Sequence, residues 1–564
     1  MRKCIFFVAL CAASLAATAQ EAVTATSFKL YGESAVNNVK VKWAMNPNAD
    51  EYHVYRDGKQ IAVAKGDTWD DYGLETGKTY AYYVEAYKEG SKIAAAAAQS
   101  ATTFKQVSND VAVYDNLNGK YIQQPAKKKP SGFKIGNLYY SYKMEHIDKD
   151  DTKGWQLTES FSKNGINAWS NPREVAFYPG VKFEGNSFHF NPKTNKVVFS
   201  AHYEDEKGYT AAKIFLAQIT PKGKMEVGTK ERPLGHDSRD QSLFIDDDNT
   251  AYLLSATNIN SDINIYRLDP TWTKVVELVN TICERKHRET PAIIKRDGEY
   301  YFFSSKASGW YPSQTMYCSA TKLGGEWTEL QEIGNNSTFG AQFNRIAVFQ
   351  PKVANLKSQF AVWSYHWGAQ YHHKDDAGNF PRISVAAFNK GFASMDYYRY
   401  IEFDDTYGVV PVQMGRYLSL GKPVKAAIQN GNGYSADCIT DGCSLASAKQ
   451  YKKGSATSIG TPYMLTIDLE KPAQLKELIM ATNLVNGSEA AYRYDISASQ
   501  DGNAYTKIVD GTNNWMIGYQ ILKPTDTETA YRYVRLRVYG ITVVKNGNNG
   551  SWADGIFELA AFGK

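Results

Sequence analysis

Apolar and polar residues alternate in twos along this chain, the period of half-buried β-strands. Near the start, Val39, Val41 and Trp43 fall on one face, as do Tyr80, Tyr82, Val84 and Ala86. Asp57-Gly58 stands as a hairpin turn between Tyr52-Val54 and Ile61-Val63, so residues 22–105 read as a small β-sandwich. From about Asn109 to Val410 one unit recurs: an apolar strand, a tight polar turn, then an aromatic-rich strand. The turns fall at Asn137, Asn195, Asn249, Gly298 and, less clearly, Ser358. Steps of about 50–60 residues between hairpins, with no helical periodicity, are those of β-propeller blades, and five copies predict a five-bladed propeller over 109–415. Residues 420–564 carry alternating strands again, at Tyr463–Leu469, Tyr494–Ser499, Tyr533–Tyr539 and Ile556–Leu559, and read as a second β-sandwich. The fold class expected is all-β, a propeller between two sandwiches.

The first residues change the starting point. Met1-Arg2-Lys3 is a short basic stretch, Cys4 to Leu15 an apolar one, and Ala17-Thr18-Ala19 a small-residue cleavage site, so residues 1–19 read as a secretory signal and the mature chain as periplasmic or secreted. Leu10 before Cys11 is too bulky for a lipoprotein signal. Beyond it no apolar run reaches the roughly 18 residues of a membrane span. With 64 Lys+Arg against 59 Asp+Glu, scattered evenly along 564 residues, no basic stripe for nucleic acid forms. Four cysteines remain, Cys283, Cys318, Cys438 and Cys443, too few for a disulfide-built scaffold; the last two either close a small loop or stay free. The excess lies in aromatic residues, with 39 Tyr and 11 Trp.

Chemistry is expected where the repeat places like residues alike. Glu184, Asp240 and Glu289 each precede their turn by roughly nine to eleven residues, and equivalent positions in adjacent blades converge on a propeller's axis. Three carboxylates in one polar pocket cannot all ionise freely, so at least one is pushed up into the range of a general acid.

The strings around these acids resemble glycoside hydrolase family 43, most closely its exo-β-1,3-galactanase branch: Val181-Lys182-Phe183-Glu184, Ser238-Arg239-Asp240, Arg288-Glu289-Thr290-Pro291-Ala292, Ser308-Gly309-Trp310 and Thr338-Phe339-Gly340-Ala341-Gln342. The resemblance implies an inverting exo-acting hydrolase of β-1,3-linked galactan, the backbone of arabinogalactan. Glu289 would be the general acid, and Asp240 would orient the sugar and raise the pKa of Glu289. Glu184, Tyr209 and Ser308 would bind sugar hydroxyls, and Trp310 would form an apolar wall. Inversion needs acid and base about 6.5–9.5 Å apart. Most of the family places an Asp in the first blade as base, where this chain has Ala126, Lys127 and Lys128. By the branch's pattern Gln342 would orient the water instead. Leu74-x-x-Gly77-x-x-Tyr80 with Trp43 resembles a fibronectin type III module, with its immunoglobulin-like sandwich. Residues 420–564 resemble the discoidin jelly roll that includes carbohydrate-binding module family 32, with Trp515 and Trp552 as candidate stacking platforms.

Other motifs are weaker. His372-His373-Lys374-Asp375-Asp376 has metal-ligand residue types in a run that reads as a solvated loop. Asp246-Asp247-Asp248 offers a structural calcium ion oxygen ligands but lacks the Gly and distal Glu of an EF-hand loop, and reads first as a turn. No cofactor is expected, the partner is an oligo- or polysaccharide, and a monomer is expected. The rival readings are an arabinofuranosidase or xylosidase of the same family and a non-catalytic glycan-binding protein.

Overall fold

The computed structural model describes residues 22–106, 110–126, 128–354, 356–367, 379–426, 434–452, 463–484 and 490–564. The signal at 1–19, Lys127 and the His372–Asp376 run lie outside the described residues. Among the described residues the chain is all-β, its only helices short 3-10 turns.

The first strands form two facing sheets around one apolar cluster. Val23–Leu30, Asn38–Trp43 and Thr68–Asp71 make one layer; Lys59–Ala64, Glu51–Arg56, Thr79–Lys88 and Ser91–Ala95 make the other, with Gln99–Thr102 also paired to Thr79–Lys88. Val39, Val41, Trp43, Tyr80, Tyr82, Val84 and Ala86 pack together between them. Asp57 and Gly58 take φ of 48° and 81°, the left-handed pair of a tight hairpin turn. Tyr80 Oη accepts the Glu75 N–H at 3.1 Å and ties down the loop before its strand.

Alternation predicts one buried face for Asn38–Trp43, yet all six of its residues are buried. The second face carries Lys40 and Lys42. Lys40 Nζ lies 3.4 Å from Asp70 and Lys42 Nζ 3.3 Å from Asp67, with Asp396 at 4.0 and 3.9 Å. Burial pulls the Lys42 ammonium down, but Asp396 and Asp67 outweigh it and hold the group above its ordinary value. A buried cation persists only when so paired. Nearby Asp441 is pushed up to about 8, by burial above all. Glu558 is pushed well up by burial and by Asp441, while accepting from Tyr417 Oη at 2.7 Å and from the Gly442 N–H at 2.9 Å.

That first layer also continues beyond its sandwich. Val23–Leu30 pairs in parallel with Gly408–Gln413, which pairs with Tyr400–Asp404, then Ala112–Asp115 and Lys120–Gln123, giving a seven-stranded sheet. Strands from both sides of residues 105–109, and the segment leading to 415, thus share one sheet.

Between them lie five successive four-stranded antiparallel sheets, each in chain order. Sheet I runs from Phe133–Ile135 to Arg173–Pro179, sheet II from Lys182–Asn191 to Met225–Glu231, and sheet III from Gln241–Ile245 to Val275–Ile282. Sheet IV runs from Arg288–Arg296 to Gln331–Glu332, and sheet V from Gln342–Phe349 to Phe392–Tyr397. Each sheet contains one of the five sequence repeats, and Asn195 and Asn249 hold their turns with φ of 56° and 63°.

The last segment forms an eight-stranded assembly around the twenty-residue strand Tyr463–Thr482, which pairs with Ile556–Gly563, Ala530–Val543, Val424–Ala426 and Tyr519–Leu522. Arg416–Tyr417 joins its edge, a few residues ahead of the expected start at 420. Cys438 and Cys443 are both buried and free.

Candidate active site

The four residues expected at the site centre stand in like places in successive sheets. Asp240 immediately precedes the first strand of sheet III, and Gln342, Glu289 and Glu184 lie within the first three residues of the first strands of sheets V, IV and II. In three of these strands the ladder slips just after the residue, between Glu184 and Ser187, Glu289 and Ala292, and Phe343 and Arg345. A bulge bends the strand and re-aims the side chain before it. It also explains Pro291 inside a strand, since an unpaired bulge position needs no N–H.

Glu289 is held from two sides by side-chain amides. Asn260 Nδ2 donates to Oε1 at 2.7 Å, and Gln342 Nε2 reaches Oε2 at 3.4 Å. Burial, and after it the charge of Asp240, pushes the Glu289 carboxyl up to about 7. A carboxyl raised this far can keep its proton near neutral pH, which is what a general acid requires. Asp240 is itself raised, by burial first, since protein atoms crowd the carboxyl even though solvent reaches the residue. Its Oδ2 accepts the N–H and Oγ1–H of Thr290 at 3.0 and 3.2 Å. Thr290 pays for that double bond with φ of 55°, a left-handed conformation that a β-branched residue adopts only under constraint.

A second group lies beside it. Tyr209 Oη donates to Glu184 Oε1 at 2.9 Å, and Lys182 Nζ lies 2.7 Å from the same oxygen and 3.8 Å above the Tyr209 ring. Arg239, next to Asp240, approaches the same ring at 5.5 Å. His202 stacks on it at 5.9 Å, its Nδ1 donating to the Ser238 carbonyl at 2.7 Å. Tyr209 is 39% exposed and Trp310 54%, so both present aromatic surface to solvent. Ser308 Oγ turns to the Tyr311 carbonyl at 3.2 Å.

Gln342 is occupied at both ends. Its Nε2 donates to the Gly309 carbonyl at 3.0 Å as well as meeting Glu289, and its Oε1 accepts the Trp367 indole N–H at 3.0 Å. It therefore stands against the acid.

Residue spacing does not single out Asn260. It ends the run Asn258-Ile259-Asn260, three consecutive left-handed residues with φ of 51°, 57° and 59°. The Asp237 carboxylate holds that turn by accepting the N–H groups of Asn258 and Ile259 at 2.7 and 3.0 Å. Two asparagines in a short turn were the available signal, since Asn tolerates this conformation best. Arg288, from the basic run Arg285–Arg288, is buried and donates to the Ser304 and Gln314 carbonyls. In the triple-aspartate turn, Lys295 Nζ lies 2.8 Å from Asp246 and 2.9 Å from Asp247. Among the described residues no group of His, Cys, Asp and Glu is arranged to hold a metal ion.

Residues 220–337 match the family model of glycosyl hydrolases family 43. That span contains Asp240, Glu289, Ser308 and Trp310. No curated protein matches the chain. Among solved structures, it is similar to an exo-β-1,3-galactanase from Phanerochaete chrysosporium, with 20% identity over 80% of this chain and 99% of that one and a TM-score of 0.46. An exo-β-1,3-galactanase from Clostridium thermocellum gives 19% identity over 73% of this chain and 98% of that one, with a TM-score of 0.43.

Proposed function

We propose that this chain is an exported, inverting exo-glycosidase acting on β-1,3-linked galactan such as the arabinogalactan backbone. In this reading the five four-stranded sheets are the blades of a five-bladed propeller, and residues 22–105 and 420–564 are fibronectin type III-like and discoidin-like sandwiches. The observation that carries the reading is Glu289: a carboxyl pushed up to about 7, beside a second carboxylate, at a strand start that three neighbouring sheets repeat. The family match over 220–337 supports the hydrolase class. The strings Ser238-Arg239-Asp240 and Arg288-Glu289-Thr290-Pro291-Ala292 support the galactanase branch.

Glu289 gives its proton to the glycosidic oxygen as the bond from that oxygen to the anomeric carbon breaks, and water adds from the opposite face of the sugar, its own proton passing to solvent. Asp240 keeps the proton on Glu289 until then, because a neighbouring negative charge disfavours a second one. Glu184 and Tyr209 receive hydroxyls of the terminal sugar, and Trp310 offers it an apolar face. We assign Gln342 to the acid rather than to the attacking water, since its amide is engaged by Glu289, Gly309 and Trp367.

The test is product analysis on β-1,3-galacto-oligosaccharides with NMR of the first anomer released. Galactose appearing as the α-anomer, and lost in Glu289→Gln while sugar binding persists, is the expected result. A β-anomer overturns inversion, release only from arabinan or xylan overturns the substrate, and no release from any of them leaves a glycan-binding protein.

A further inference from the structure

For the C-terminal sandwich the sequence leaves open structural packing and glycan binding, the latter with Trp515 and Trp552 as candidate platforms. Trp552 is 53% exposed, but Trp515 is half-buried. It packs in one apolar cluster with Tyr311, and its ring centroid lies 6.2 Å from that of His366. Both contacts lead to the site. Tyr311 lies two residues after Gly309, whose carbonyl accepts from Gln342; His366 Nδ1 faces the Gly340 carbonyl at 3.1 Å, and its neighbour Trp367 donates to Gln342.

A second contact lies a few residues on. The Tyr519 ring meets Phe339 edge-on at 5.2 Å, and both join Ile479, Ile521, Phe557, Phe343 and Phe360 in one buried cluster across the two segments. Backbones touch as well. A Cβ on Gly518 would stand 2.7 Å from Ser337 Cβ, and one on Gly340 would stand 2.9 Å from the Tyr519 carbonyl. Asn336 donates from its N–H to the Ser444 carbonyl at 3.0 Å and from Nδ2 to the Thr482 carbonyl at 3.3 Å. Residues 335–342 are all buried, with Thr338 and Phe339 at φ of 49° and 56°. A buried loop holding two left-handed residues keeps that shape only when its surroundings over-determine it. Here Asn335, Ser313, Thr315 and Arg382 hold the loop's polar groups on one side, the C-terminal sandwich covers it on the other, and the loop leads directly into Gln342.

We infer that the C-terminal sandwich is part of the catalytic unit, with Tyr519 a positioning residue that sets the Gln342 amide against Glu289 through the 335–341 loop. This rests on the reading of Glu289 as the acid. A detachable module would join through a small, solvated contact; this one buries an apolar cluster together with hydrogen bonds and the Arg399–Glu477 ion pair, and it touches Gly340, two residues before Gln342.

The experiment compares Tyr519→Ala and Tyr519→Phe in the full chain. It measures kcat, KM and the pH profile on β-1,3-galactobiose, and the NMR signal of the Trp367 indole N–H, assigned with Trp367→Phe. In wild type that signal is expected to titrate with Glu289, and to stop doing so in Glu289→Gln. Tyr519→Ala is expected to lower kcat about tenfold with KM changed less than about twofold. It should move the alkaline limb upward, because an N–H donor to the ionised acid is loosened, and abolish the Trp367 titration. Tyr519→Phe should restore all three. A folded Tyr519→Ala protein with wild-type kcat, limb and Trp367 titration overturns the inference. Should Tyr519→Ala fail to fold, Gly518→Ala, whose methyl group presses on Ser337, is read in the same way. If wild type hydrolyses no galactan, the functional reading fails, and the Trp367 titration alone decides the positioning: lost in Tyr519→Ala it stands, unchanged it falls.

Discussion

Glu289 and Asp240 at the candidate active site, and Asp441 and Glu558 at the junction of the N- and C-terminal segments, are pairs of carboxyls raised first by burial and then by a like charge nearby. Their surroundings part them. Asp441 and Glu558 are buried, with their bonds inside the protein, to the Cys443 N–H, the Gly442 N–H and Tyr417, beside two buried lysines. Asp240 is open to solvent, Glu289 is half-buried, and two strongly exposed aromatic rings stand in the same group of loops. A raised carboxyl thus marks function only where a substrate can reach it; elsewhere it marks a packed joint.

The comparison breaks first at Glu289. Glu289→Gln is expected to cost about 10²–10⁴-fold in kcat, read by galactose release, with the melting temperature little changed. Asp441→Asn should do the reverse, leaving kcat intact. Next is Asp240→Asn: with the like charge gone, Glu289 ionises more readily, so the alkaline limb of the pH–rate profile moves down and kcat at neutral pH falls. A limb that stays put would show that burial alone raises Glu289.

The third prediction concerns the joint. The Asp441 carboxyl holds its proton in the folded chain up to about 8, whereas an unfolded chain releases it near 3.8. The folded state binds more protons between those values, so this contribution is full below the lower one and is lost as pH rises towards the upper. Melting temperature should decline from pH 5 to 8, and Asp441→Asn should flatten the decline. The smallest effect is expected from Asn260→Ala. Losing the 2.7 Å bond to the ionised carboxylate raises Glu289 further and shifts the alkaline limb upward, opposite to Asp240→Asn.

The repeat was legible because each unit carries its own turn residues and aromatic strand, and the offset of each acid from its turn was legible because each stands near the start of the first strand of its sheet. Tyr209 and Glu184 were also within reach, since Tyr209 lies in the loop that joins the second and third strands of the sheet whose first strand carries Glu184. Asn260 was hidden by its turn, where Asn reads first as backbone chemistry. The place of Gln342 against the acid was hidden because it depends on Trp367 and Gly309, which no spacing links. Lys40 and Lys42 look like an outward polar face until Asp396, more than three hundred residues on, is known to cover them. Pairing over such distances leaves no period in a sequence.

That distance also bears on how the chain reaches its fold. Val23–Leu30 finds one neighbour at once, in Asn38–Trp43, but its other edge waits for Gly408–Gln413, roughly 380 residues later. Until then one edge of that strand stands unpaired while the rest of the chain emerges, and it is a template for any other strand that passes. Completion of the sheet is therefore a late, closing event that fastens the beginning of the chain to the end of the repeat. A chain cut short before residue 408 should keep its hairpins and lose its solubility.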